Sequence, residues 1–99
     1  MNDGSFVSLT GRLDVRAAAD VRLELADAVD RGDGELVLDL AALESVDATG
    51  LGVLVGAHRR AQRAGRTLVL TDVPDAVGRL LLLTRLDKIL QTRRSEECA

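Results

Sequence analysis

Residues 36 to 61 read LVLDLAALESVDATGLGVLVGAHRRA, and the two ends of this stretch obey different periodicities. With Glu35 in front, Leu36, Val37, Leu38 and Leu40 form a nearly continuous apolar run, the pattern of a central strand covered on both faces. From Gly50 to Ala64 the apolar residues Leu51, Leu54, Val55, His58 and Ala61 fall on one helical stripe, and Gly65 closes the segment. Between them, Ala41 to Asp47 reads as a connector. Working outward, residues 5 to 10 alternate Phe6, Ser8 and Thr10 against Val7 and Leu9, as in a strand entering a turn at Gly11. Residues 16 to 31 place Ala18, Val21, Leu25, Ala28 and Val29 on one face of an amphipathic helix, ended by the left-handed backbone that Gly32 and Gly34 accept. Downstream, RTLVLTD (66–72) is a second apolar strand, Pro74 suits a helix start, and Val77, Leu80, Leu81 and Thr84 mark the helix that follows. A last short apolar element spans Asp87 to Thr92. Strands alternating with helices predict an α/β fold: about four mostly parallel strands joined by right-handed crossovers and flanked by helices.

Ninety-nine residues fit a single domain over 1–99, and 46% hydrophobic against 29% charged residues is the balance of a folded chain. Its core must be aliphatic: there are eighteen Leu, eleven Val and thirteen Ala against one Phe, with no Tyr or Trp. Cys98 is the sole cysteine and His58 the sole histidine, so neither an internal disulfide nor a four-ligand zinc site of nitrogen and sulfur donors can be built. No metal and no cofactor are expected. A net charge of -3 disfavours nonspecific attraction to nucleic acid or anionic lipid. No apolar run approaches the roughly 18 residues that span a bilayer, and the first residues lack the order of a signal peptide, so a cytoplasmic location is expected. Enzyme chemistry is disfavoured too. The serines lie in no nucleophile-elbow context, no P-loop lysine follows a glycine run, and His58 is the single imidazole base.

The residues that carry chemistry are Asp47, Ala48, Thr49, Gly50, Leu51 and Gly52, at the start of the strongly apolar helix. First-turn N–H groups lack internal partners and carry the positive end of the helix dipole, and glycines let another surface approach the backbone. The same residues also read as a plain cap, with Asp47 or Thr49 accepting from an early N–H. Asp14 has a parallel ambiguity, since it can cap the helix that begins near Arg16. Arg59, Arg60, Arg63 and Arg66 read as a solvated basic face, and His58 as a packed, hydrogen-bonded residue on the apolar stripe. Leu80 to Leu83 circle the helix axis and cannot all face one core, so some of them form a partner patch or cover a sheet edge.

From Val7 to Leu90 the chain resembles the STAS domains of the bacterial anti-sigma-factor antagonist type. The resemblance rests on GRLD at residues 11–14, on the 36–61 stretch, and on TLVLTDVPDAVGRLLLLTRLDKIL at residues 67–90. It implies a regulator without catalysis that binds an anti-sigma factor, itself a serine kinase of the histidine-kinase ATPase fold, and thereby releases a sigma factor. In the family, phosphorylation of a serine directly after the motif aspartate ends that binding. Here the position after Asp47 is Ala48, which has no hydroxyl, and Thr49 holds the second hydroxyl position of the motif. Either the kinase cannot switch this antagonist off, or Thr49 has become the acceptor. The first is preferred, because one residue along a helix start rotates the hydroxyl by roughly 100°. The expected contact surface is Asp14 with Asp47 to Gly52, rimmed by Leu81, Leu82 and Leu83, and Gly50→Arg is expected to block docking while leaving the fold intact. Relative to the family, the leading strand and the terminal helix look shortened, with Ser95, Glu96 and Glu97 as a helix start without its body. A monomer or weak homodimer follows. An accessory STAS subunit docked to a membrane transporter or ATPase is the alternative reading.

Overall fold

In the computed structural model, residues 5–94 are described. Their elements run β1 (Phe6–Leu13), α1 (Ala18–Arg31), β2 (Glu35–Val46), α2 (Ala48–Arg63), β3 (Thr67–Thr71), α3 (Asp75–Leu83), a single 3-10 turn (Leu86–Lys88) and β4 (Gln91–Arg93). The strands lie side by side in chain order and every neighbouring pair is parallel. Sequential parallel strands with right-handed crossovers place all the intervening helices on one face of the sheet. Burial agrees with that arrangement. Val7 and Leu9, Leu36, Leu38 and Leu40, and Leu68 and Leu70 share one core cluster with Leu25 and Val29 of α1, Leu54 of α2, and Val77 and Leu81 of α3.

This corrects the expectation that β2 is covered on both faces. Leu36, Leu38 and Leu40 are fully buried, but Val37 and Asp39 on the other face are only half-buried. The strand buried on both faces is β3, where Leu68, Val69, Leu70 and Thr71 are all covered and the Thr71 hydroxyl donates to the Leu38 carbonyl at 3.3 Å.

Residues 41–46 belong to β2 rather than to a connector. Buried positions in this strand are 36, 38, 40, 43 and 46, so the spacing is two residues at first and three later. The pairing with β1 absorbs the difference in two register shifts, between Ser8 and Thr10 and between Gly11 and Arg12. Each extra β2 residue bulges outward and returns the next leucine or valine to the core. Asp39 supports the first irregularity by accepting the Ala41 N–H at 3.0 Å. Gly11, expected to end the strand, stays inside it with a φ of 73°, a left-handed kink that a side chain would strain.

The helix stripes need smaller corrections. In α2 the buried set is Gly50, Leu51, Val53, Leu54, Ala57 and Ala61, because α2 packs on α1 as well as on the sheet; Val55 and His58 are half-buried. At the end of α1, Gly32 is extended and Gly34 alone takes positive φ. Thr84 is exposed and caps α3, its hydroxyl donating to the Leu80 carbonyl at 2.7 Å. The last apolar element resolves into the 3-10 turn, the buried Leu90 and β4. The expectations about Ser95 to Glu97 and Cys98 lie outside the described residues.

Arg66 is the largest departure from the sequence reading. It is 4% exposed, not part of a solvated face. Its Nε donates to the Gly34 carbonyl, Nη1 to those of Ala28 and Val29, and Nη2 to those of Asp33 and Glu35, at 2.9 to 3.3 Å. A guanidinium has five N–H donors, and here five carbonyls receive them. Two of these carbonyls belong to the last turns of α1, where the helix dipole is negative and no internal donor remains. The charge therefore rests on peptide dipoles and ties the α1–β2 connection to the start of β3.

Candidate partner-binding site at the start of helix α2

Two aspartates are brought together at the C-terminal end of β1. The Asp47 N–H donates to the Leu13 carbonyl at 3.2 Å, so the start of α2 is pinned to the residue preceding Asp14. Asp47 has extended backbone and its carboxylate accepts the Gly50 N–H at 2.8 Å, the geometry of an N-cap. The Asp14 carboxylate accepts the N–H groups of Arg16 and Ala17 at 3.0 and 3.2 Å and caps the turn that leads into α1. The cap reading holds for Asp47, whereas Asp14 caps the turn in front of α1, whose own N-cap residue, Ala17, makes no side-chain cap bond.

The motif residues divide into a packing set and an exposed set. Gly50 and Leu51 are buried. A Cβ on Gly50 would overlap the Leu13 carbonyl oxygen and come within 2.9 Å of Leu13 Cγ and 3.0 Å of Val46 Cγ1. Gly50 thus lets α2 begin in contact with the end of β1, and Gly50→Arg would disrupt the fold instead of leaving it intact. Asp47, Ala48, Thr49 and Gly52 are exposed, and a Cβ on Gly52 would meet nothing within 4 Å. The result is a low, unobstructed surface one helical turn long. Val15, 69% exposed beside Asp14, extends this surface with an apolar side chain. The sequence reading missed it, although a lone valine directly after a capping aspartate, with no partner on the α1 stripe, was the available signal.

Leu81, Leu82 and Leu83 do not join this surface. Leu81 is buried in the core, whereas Leu82 and Leu83 are 63% and 74% exposed at the C-terminal end of α3. α3 starts beyond the C-terminal end of β3 and runs back along the sheet, so its last turn lies toward the opposite end from Asp47. The basic cluster is also dispersed. Arg60 pairs with Asp30 of α1 through Nε and Nη2 at 3.3 and 2.7 Å, bonds that hold the Asp30 carboxyl below the usual carboxylate range and raise the Arg60 guanidinium. Arg93 does the same to Glu35, with a closest approach of 2.6 Å. His58 does not form the expected hydrogen bond: its Nδ1 is buried and has no partner.

Among the described residues there is no group of three or more histidine, cysteine or acidic side chains able to hold a metal ion, and no helix is long and apolar enough to cross a membrane.

The geometry is matched by known proteins. A family model described as Mlab, STAS domain covers residues 2–92. The anti-sigma F factor antagonist of Paenibacillus polymyxa is 35% identical over 85 residues, covering 85% of this chain and 73% of that one. The anti-sigma-B factor antagonist of Bacillus subtilis strain 168 is 30% identical over 91 residues, covering 92% and 83%. Among solved structures, an anti-sigma factor antagonist from Mycobacterium paratuberculosis superposes with a TM-score of 0.77 at 26% identity, over 88% of this chain and 74% of that one. The capped α2 start on a parallel four-stranded sheet is thus the architecture of a STAS domain. This chain belongs to the STAS family, and its curated relatives carry the name anti-sigma factor antagonist.

Proposed function

We propose that this protein acts as an anti-sigma factor antagonist, a single cytoplasmic domain that binds an anti-sigma factor through the start of α2. The names of its relatives support the activity. The observation that carries the site is the exposed surface of Ala48, Thr49 and Gly52 beside the capped Asp14 turn. The first helical N–H groups point outward there, and small side chains let a partner surface reach them. Asp14, Asp47 and Val15 frame the contact, while Gly50 and Leu51 support it from beneath. Leu82 and Leu83 are left for a separate contact.

The partner in this reading is an anti-sigma factor of the histidine-kinase ATPase fold. In related switches a phosphoryl group at the residue after the motif aspartate opposes docking, because it adds nearly two negative charges at the interface. Ala48 cannot accept one, so the complex forms and persists in the presence of ATP. Thr49 is exposed, but its position on the helix start differs from that of Ala48 by one residue of rotation.

The test is affinity capture with the unmodified domain from its own lysate, followed by intact-mass measurement after incubation of the captured kinase with ATP. Capture of a small ATPase-fold kinase with no mass gain on the domain supports the whole reading. A phosphate lost on Thr49→Ala replaces the unswitchable antagonist with one switched at Thr49, and capture of transporter subunits instead rejects the antagonist role.

A further inference from the structure

Helices α1 and α2 pack against each other, and between them lies an open groove of about 140 Å³. Its floor is apolar, formed by Ala26 of α1 with Val53, Gly56 and Ala57 of α2. A Cβ on Gly56 would meet nothing within 4 Å, so a partner can lie close against the α2 backbone there. The rim is basic: Arg22 stands on α1, and Arg60 and Arg63 on α2, all three exposed.

One carboxylate answers these three guanidiniums. Asp30 takes Arg60 at 2.7 Å, and among the described residues neither Arg22 nor Arg63 takes part in an ion pair. The helices themselves give these two charges little support. Three and four residues from Arg22 on α1 stand Ala18, Ala19, Leu25 and Ala26, with no acidic neighbour among them. Three and four residues before Arg63 stand Arg60 and Arg59, like charges that weaken a helix at that spacing. The α2 dipole favours cations in its last turn, but Arg22 lies beyond the first turn of α1 and gains nothing from either end. Three arginines against one aspartate leave a surplus of two positive charges on this groove, in a chain whose net charge is -3.

The groove continues the surface at the start of α2. Arg22 is five residues past Ala17, the N-cap of α1, and Gly52 is five residues past Asp47, the N-cap of α2. The Asp47 N–H on the Leu13 carbonyl holds the two helix starts together, so Arg22 lies level with Gly52. Arg63, eleven residues past Gly52, marks the far end.

From this geometry we infer that the anti-sigma factor lays an acidic segment along the groove between α1 and α2, with carboxylates received by Arg22 at the near end and Arg63 at the far end. The inference rests on the α2-start reading and names the chemistry of the partner segment that meets it. Guanidinium groups bind carboxylates through paired, charge-assisted hydrogen bonds, and the small floor between them leaves room for the chain that carries those carboxylates.

Calorimetric titration of the captured anti-sigma factor with charge-reversed domains tests this. Arg22→Glu and Arg63→Glu each set a like charge against a partner carboxylate and are expected to weaken binding about tenfold or more. Arg31→Glu changes the net charge by the same amount but lies outside the groove, and is expected to stay within about twofold of wild type. Rising salt should weaken wild-type binding more steeply than that of the combined Arg22→Ala, Arg63→Ala variant. The substituted side chains are exposed, so circular dichroism and melting should stay close to wild type. Either groove reversal binding as Arg31→Glu does, or equal salt slopes, while Gly52→Arg still abolishes binding, overturns the acidic segment and leaves the α2 contact standing. Wild-type affinity in Gly52→Arg rejects the α2 contact itself, and the inference falls with it.

Discussion

Replacing Arg66 with alanine probes the element that the sequence least advertises and the fold most depends on. The change removes five donors at once from the carbonyls of Ala28, Val29, Asp33, Gly34 and Glu35. The bonds to Asp33, Gly34 and Glu35 are partly exposed, so water can replace much of what is lost there. Those to Ala28 and Val29 are buried, and an acceptor left unsatisfied in such a place costs about 1 to 3 kcal/mol. Two such acceptors, with the lost packing of the side-chain stem, give about 3 to 5 kcal/mol, a large share of the roughly 5 to 15 kcal/mol that stabilises a domain of this size. At about 4 to 8 °C per kcal/mol, the melting temperature should fall by at least about 12 °C. Arg66→Lys keeps the charge but offers three donors without the planar fork, and should fall between the two. Urea unfolding followed by circular dichroism reads the midpoint, with the slope unchanged if only stability has moved. A loss under about 1 kcal/mol for Arg66→Ala would refute the reasoning, because it would mean that the five bonds contribute no more than the water that replaces them.

Three further substitutions separate packing from surface roles. Gly50→Ala drives a methyl into the Leu13 carbonyl and should cost about 1 to 3 kcal/mol in chemical denaturation, whereas Gly52→Ala meets open space and should be neutral or stabilising by up to about 1 kcal/mol. Equal effects at the two glycines would contradict the division between buried and exposed motif residues. Asp47→Ala removes the cap on Gly50 and should cost about 1 kcal/mol in the same assay. Arg60→Ala should return the Asp30 carboxyl toward its ordinary value in an NMR titration, because the Arg60 hydrogen bond is what lowers it. With a folded value below the unfolded one, this pair favours the folded state above the ordinary carboxylate pKa, and its contribution is lost as pH falls through the lowered value. The pair is solvent-exposed, so salt should weaken it.

Much of the architecture was legible because the period-two pattern of β1, the helical pattern of α1 and the short apolar runs of β3 and the first half of β2 each mark their element. The second half of β2 was not, since its bulges turn the spacing of buried residues from two to three, which no unbroken strand shows. Arg66 was misread for a different reason. An arginine just after a helix and a glycine has the local sequence of a solvated residue, and its acceptors lie about thirty residues earlier in the chain. At the site, the capping aspartates were legible from residue type and position, whereas the opposite fates of Gly50 and Gly52 depend on which side of α2 meets β1. The separation of Leu82 and Leu83 from the site follows from the direction of α3, which their leucine run does not encode.

The central claim is that this domain holds an anti-sigma factor through the exposed start of α2, in a complex that the kinase activity of its partner cannot undo. Calorimetric titration of the domain into the captured anti-sigma factor, repeated after incubation with ATP, tests it most directly. The account predicts the same affinity before and after ATP, and loss of binding in Gly52→Arg with its melting temperature preserved. Binding that survives Gly52→Arg, or that ATP abolishes, would contradict it.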